Sequence, residues 1–100
     1  MTTPRFDDVM HGPNRLQICA LLASVDSAEF ATLRESLGVA DSVLSKHLRV
    51  LIEAGYVRSD KLVGMGRAKT WAKLTKPGRA AFASHVAELQ RLASMADLPD

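Results

Sequence analysis

The side chains of this 100-residue chain best equipped to hold a metal or a reactive group are three histidines and one cysteine. His11, Cys19, His47 and His85 lie 8, 28 and 38 positions apart. No close pair of the kind zinc sites use is among them. A metal would need ligands from two subunits, so no metal and no cofactor are expected. Cys19 sits among Ile18, Ala20, Leu21 and Leu22, which suits a small buried hydrophobe. A redox-sensing thiol would need exposure and nearby cations, and the sequence brings only Arg15 close. A lone thiol forms no internal disulfide, which fits a reducing cytoplasm. His47 is expected to be a structural hydrogen-bonding residue on the edge of a core face. There is no nucleophile motif, phosphate-cradling loop or carboxylate pair. Gly64-Met65-Gly66 follows one strand-like run and leads into another, so it makes a hairpin turn. No catalytic residue and no enzymatic activity are expected.

The remaining chemistry is that of cations. The chain carries 13 Lys and Arg against 11 Asp and Glu, a net charge of only +2. That total conceals a division. Between Asp41 and Arg79 there are nine basic and three acidic residues, giving +6, while the rest holds four basic and eight acidic, giving −4. One basic segment in a nearly neutral chain is the electrostatic footprint of a polyanion partner. The composition, 47% hydrophobic and 24% charged, belongs to a globular chain and excludes disordered and fibrous classes. Ile18 to Ala23, the longest apolar run, is far too short to span a membrane, so no membrane partner is expected. One domain covering residues 1–100 is the size such a chain builds.

Helices and strands must place these cations. Residues 13–24 read as a helix, apolar almost all round, with Pro13 suited to its first turn. Such a helix must be covered on more than one side, and a second subunit is the expected second cover. Ala28-Glu29-Phe30 is a short strand. A helix over 32–37 then ends at Gly38, and another over 41–54 ends at Gly55, both glycines serving as left-handed terminators. The two helices are joined by Gly38-Val39-Ala40, which is helix-turn-helix spacing within residues 31–54.

The second of these helices has two faces. Leu44, Leu48, Leu51 and Ile52 form its core side. Ser42, Lys46, Arg49 and Glu53 line the other, flanked by Val43 and Ser45. Hydroxyls and long cations on one helix face are types that reach base edges and phosphates in a major groove. Residues 56–63 and 68–75 are strand-like and flank a glycine-bearing turn, which makes a β-hairpin over 56–75. Arg67, Lys69 and Lys73 sit at its tip and on its second arm. A basic hairpin directly after a helix-turn-helix forms a wing able to lay cations along the sugar-phosphate backbone or into the minor groove.

Thr75 caps a last helix over 76–96, with Pro77 in the first turn. Phe82, Val86, Leu89, Ala93 and Ala96 make an apolar stripe roughly 80° wide, edged by His85 and Leu92. So narrow and long a stripe suits a partner helix, with its first turns folded back on the domain. Glu88 and Arg91, three apart, are placed to pair on the surface.

Specific runs accompany this pattern. They are His11-Gly12-Pro13-Asn14-Arg15-Leu16, Phe30-Ala31-Thr32-Leu33, Leu37-Gly38-Val39 and Leu44-Ser45-Lys46-His47-Leu48-Arg49-Val50-Leu51. Further on come Glu53-Ala54-Gly55-Tyr56-Val57, Leu74-Thr75-Lys76-Pro77-Gly78-Arg79 and Ala81-Phe82. From Val9 to Leu92 the chain thereby resembles winged helix-turn-helix transcriptional regulators of the ArsR/MarR type, in particular the small subgroup made of little more than the DNA-binding domain. The resemblance implies a mainly α fold with a small β-sheet (α+β): a three-helix core, a β-hairpin wing and a long C-terminal dimerisation helix. It implies a homodimer held by helices 13–24 and 76–96, through Leu16, Phe82, Val86, Leu89, Leu92 and Ala93. It further implies binding of double-stranded DNA at a partly palindromic operator, most often as a repressor. The family's base readers fall on Ser42, Val43, Ser45, Lys46 and Arg49, and its wing contact on Arg67, with Lys69 beside it in the wing segment 64–69. Two recognition helices in such a dimer enter successive major grooves about 34 Å apart.

The chain departs from the family in two respects. Ala40 stands where a serine or threonine usually caps the recognition helix, leaving that task to Asp41 or Ser42, and Asp41 must turn aside from phosphate. The clustered ligands of metal-sensing members are missing. A small-molecule effector would find room only at the dimer interface or between helix and wing. A module that binds an acidic protein partner through the same basic face is the competing function, since fold alone does not settle it.

Overall fold

The computed structural model describes residues 7–64 and 67–96, with the side chains of residues 62–68 outside the description. Four helices and three strands follow in the order α1 (Pro13–Ala23), β1 (Ala28–Glu29), α2 (Phe30–Leu37), α3 (Asp41–Glu53), β2 (Val57–Gly64), β3 (Arg67–Leu74) and α4 (Lys76–Ala96). The strands form an antiparallel sheet in the order β1-β3-β2. Its ladder runs from Val57 opposite Leu74 to Gly64 opposite Arg67. The expected α+β architecture is the one observed, and the boundaries match to within two residues.

Glycine stops the helices where left-handed backbone is required. Gly38 has φ +67° and Gly55 φ +82°, a region costly to residues with a Cβ. At the end of α3 the Tyr56 amide donates to the Leu51 carbonyl and the Gly55 amide to Ile52, each at 2.9 Å. This paired closure satisfies carbonyls that the helix end leaves open and turns the chain into β2.

One core gathers Ile18, Cys19 and Leu22 of α1 with Leu33 of α2, Leu44 and Leu51 of α3 and Leu74 of β3. Each such side chain contributes about 1.5–3 kcal/mol of hydrophobic stabilisation. Packing corrects one expectation here. The all-round apolar α1 is covered by elements of its own chain, since α2, α3, α4 and β3 all contact it. A second subunit is therefore not required to explain its composition, although Leu16 and Leu21 remain only half-buried. Ile52 is a second correction: it is 40% exposed. It lies about 80° around the helix from Leu44, at the margin of the buried face.

The last helix is capped as expected. Thr75 Oγ1 accepts from the Gly78 amide at 3.0 Å and donates to the Gly55 carbonyl at 2.6 Å. Its buried residues, however, are Gly78, His85 and Glu88. That line runs along one edge of the apolar stripe, so Phe82, Val86 and Leu89 stay half-buried and Leu92 and Ala93 exposed. Glu88 and Arg91 do pair, but the Glu88 side chain is only 10% exposed, so the pair is set into the surface. Among the described residues no helix is long and apolar enough to cross a membrane.

Candidate nucleic-acid interface

Helix α3 presents its polar side to solvent for a simple geometric reason. Leu44, Leu48 and Leu51 point into the core at helical spacing, which forces Ser42, Lys46, Arg49 and Glu53 to the opposite side. All four are exposed, as are Val43 and Ser45. Neither Lys46 nor Arg49 forms an ion pair with any described residue. Their cationic groups are thus available to an external anion.

The N-terminus of α3 differs from both expected capping arrangements. Ala40 takes the cap position with extended backbone, and no side chain bonds to the first turn. Asp41 instead swings back to α2, where its carboxylate accepts from Arg34 at 2.7 Å. The expected turning aside of Asp41 is therefore seen, with a specific partner. It pairs this negative charge with a cation at the edge of the polar face of α3.

Beside the polar face, His47 joins α3 to the start of α1. Its Nε2 lies 3.3 Å from the Asn14 amide and its Nδ1 3.3 Å from an Arg15 guanidinium nitrogen. Arginine only donates, so Nδ1 accepts from Arg15. Burial and the neighbouring charges of Arg15 and Lys46 lower its pKa. The structural role expected of His47 is what this arrangement provides. Cys19 is fully buried, and burial, aided by the charge of Asp7, pushes its thiol up to about 12. Such a thiol lacks the thiolate that redox sensing uses. Among the described residues there is no group of three His, Cys, Asp or Glu side chains placed to hold a metal ion.

The wing follows α3 through the Gly55 closure, and its sheet alternates. Val57, Ala72 and Leu74 face inward and are buried, so by the period of two Ser59 and Thr70 share their side of the sheet. A groove of about 440 Å³ runs between α3 and this side, with Ser45, Arg49 and Ile52 on one wall and Ser59 and Thr70 on the other. The sequence reading assigns Ile52 to the core and gives Ser59 and Thr70 no role in the site; strand alternation around Val57 and Leu74 is the signal for the last two. Lys69 is exposed on β3. Arg67 has its backbone in β3 opposite Gly64, while its side chain lies outside the described residues.

These elements fix the comparison with known proteins. Residues 14–93 match a family described as the winged helix DNA-binding domain. The chain belongs to that family. An uncharacterized protein of Methanocaldococcus jannaschii is 41% identical over 78 residues, covering 78% of this chain and 85% of that protein. Among solved structures, a transcriptional regulator homologue from Pyrococcus horikoshii superposes with a TM-score of 0.85 at 26% identity, covering 90% of this chain and 89% of that one. A further structure, of a protein described as a "possible transcriptional regulator for arsenical resistance", gives 0.64 at 30% identity over 93% and 95% of the two chains. The resemblance to winged helix-turn-helix regulators of the ArsR/MarR type therefore stands.

Proposed function

We propose that this protein is a homodimeric, sequence-specific regulator of transcription that acts as a repressor in the cytoplasm, with no catalytic role. Ser42, Val43, Ser45, Lys46 and Arg49 read bases and adjoining phosphates in the major groove. Arg67 and Lys69 hold the wing to the backbone beside it. The observation that carries this reading is the coincidence of unpaired cations on the open face of α3 with a basic hairpin directly following it. Those are the two elements that must touch one duplex together.

Dimerisation is proposed through the half-covered stripe of α4 and the adjoining side of α1, at Leu16, Phe82, Val86, Leu89, Leu92 and Ala93. The support is that α4 buries His85 and Glu88 against its own chain, leaving the apolar stripe beside them for another surface. Two such protomers present their reading helices to a partly palindromic site.

The experiment is a selection of bound duplexes from a random pool, followed by affinity measurements with variants. Arg49→Ala should relax sequence preference, and Arg67→Ala should weaken all sequences more evenly. Leu89→Asp should sediment as a monomer and lose operator affinity. An unselective pool, with both arginine variants unchanged, would favour the module that binds an acidic protein partner.

A further inference from the structure

The groove beside α3 uses one side of the wing sheet; the other side holds the chain's sole tryptophan. Trp71 stands opposite Asp60 on β2, and Lys73 opposite Arg58. Because Ala72 and Leu74 turn inward, Trp71 and Lys73 project outward, away from the α3 groove. On that outer side lies an open groove of about 490 Å³, lined by Ser27, Arg58, Asp60, Lys61, Trp71, Ala72 and Lys73. Its volume is within the range of small-ligand pockets, and it is open to solvent on one side. Glu29, the register partner of Trp71 on β1, does not line it.

The lining has a definite chemistry. A half-buried indole offers a flat stacking surface. Two cations that project outward, Arg58 and Lys73, outnumber one carboxylate, so the groove favours an anion. Lys61, in register with Thr70, projects to the other side. Arg58 touches Asp60 only loosely, through Nε at 3.5 Å, with the two side chains 67% and 48% exposed. The outer edge of its guanidinium thus remains open to a second acceptor. Asp60 distinguishes between anions. Toward a simple aromatic acid it offers only repulsion. Toward a ligand that also carries hydroxyl donors it is an acceptor, and Ser27 adds a second polar group.

We propose that this outer wing groove binds a nucleotide. The base stacks on Trp71, the phosphate lies between Arg58 and Lys73, and Asp60 accepts from the sugar hydroxyls. A free mononucleotide and one unit of a single strand share this chemistry, and the groove has room for one unit. The site is separate from the reading face of α3, and it stands whether or not that face binds duplex DNA.

Trp71 is its own reporter, because no second indole contributes to the fluorescence. AMP should change the emission saturably, with calorimetry giving the same Kd. Adenosine and ribose 5-phosphate should each bind roughly tenfold or more weakly, since each lacks one of the two main contacts. Arg58→Gln, Lys73→Gln and Asp60→Asn, all at exposed positions, should weaken AMP while leaving the thermal melt unchanged. A short single-stranded oligoadenylate that binds tighter than AMP would support the same site with a strand as its source. The proposal is overturned if AMP gives neither a saturable signal nor heat. It is equally overturned if benzoate matches AMP and Asp60→Asn has no effect.

Discussion

Replacing Gly78 by alanine tests the packing on which the wing and α4 depend. Gly78 sits in the first turn of α4, where alanine ordinarily gains about 0.5–1 kcal/mol of helix propensity over glycine. Here an added Cβ would lie 2.1 Å from the Tyr56 carbonyl oxygen and 2.9 Å from its carbon. Ordinary contact begins near 3.4 Å, so α4 and the chain at Tyr56 must part by more than an ångström. The same carbonyl accepts from the Thr75 amide at 3.0 Å, and the Tyr56 hydroxyl donates to Asp7. Both contacts are therefore strained together. Overpacking costs about 1–3 kcal/mol, and a weakened backbone hydrogen bond adds about 1. After the helix gain is subtracted, the expected loss is about 2 kcal/mol. For a domain of this size that lowers the melting temperature by roughly 8–16 °C. Circular dichroism melts at one fixed protein concentration measure it, with Gly38→Ala as the comparison. Nothing lies within 4 Å of a Cβ at Gly38, so only its left-handed backbone is penalised, by about 1 kcal/mol. A Gly78→Ala protein as stable as the wild type, or more so, would refute the close approach of α4 to Tyr56.

Three further outcomes are expected. His85 is fully buried; its Nδ1 accepts from the Asp7 amide at 3.1 Å, and its Nε2 lies 3.3 Å from His11 Nδ1. Burial and His11 lower its pKa against the opposing charge of Asp7, and His47 is lowered as well. The unfolded chain thus takes up these protons first as pH falls below about 6.5. Stability should be full above that value and decline toward pH 5. His85→Asn, which retains an acceptor for the Asp7 amide, should flatten the decline, and a wild type that becomes more stable on acidification would contradict the neutral wiring. Asp7 adds a loss at lower pH. Burial would raise its pKa, but the Tyr56 hydroxyl, the Met10 and Val9 amides and His85 together hold it below the usual 3.8, so this loss comes as pH falls below that range. Finally, Cys19 should resist a thiol-labelling reagent at pH 8 until the protein unfolds, whereas stoichiometric labelling of the native protein would contradict its burial.

The helix-turn-helix and wing were legible because their signals are local. Gly38 and Gly55 punctuate, Leu44, Leu48 and Leu51 repeat at the helical period, and paired strand runs flank a glycine turn. The open face of α3 followed from the same periodicity, which is why Lys46 and Arg49 could be named in advance. Ile52 was misplaced because a helical wheel shows an angle but not where the neighbouring element ends. The buried face of α4 was hidden for another reason. It is set by Asp7, His11 and Tyr56, whose contacts with one another and with His85 join residues 49 to 78 positions apart in the chain. No periodicity within α4 reports such partners. For Ser59 and Thr70 the alternation was present, but its significance depends on the wing lying over Arg49.

The most direct measurement of the DNA-binding proposal is the affinity for a selected duplex, and for a scrambled one, across a range of salt concentrations. Two or three phosphate contacts per protomer in a dimer predict a slope of log K against log salt between roughly −3.5 and −5.5 for the selected duplex. The selected site should bind far tighter than the scrambled one, and Arg49→Ala should narrow that gap. Equal affinity for both duplexes, with a slope near zero and no response to Arg49→Ala, would contradict a DNA-reading role for α3.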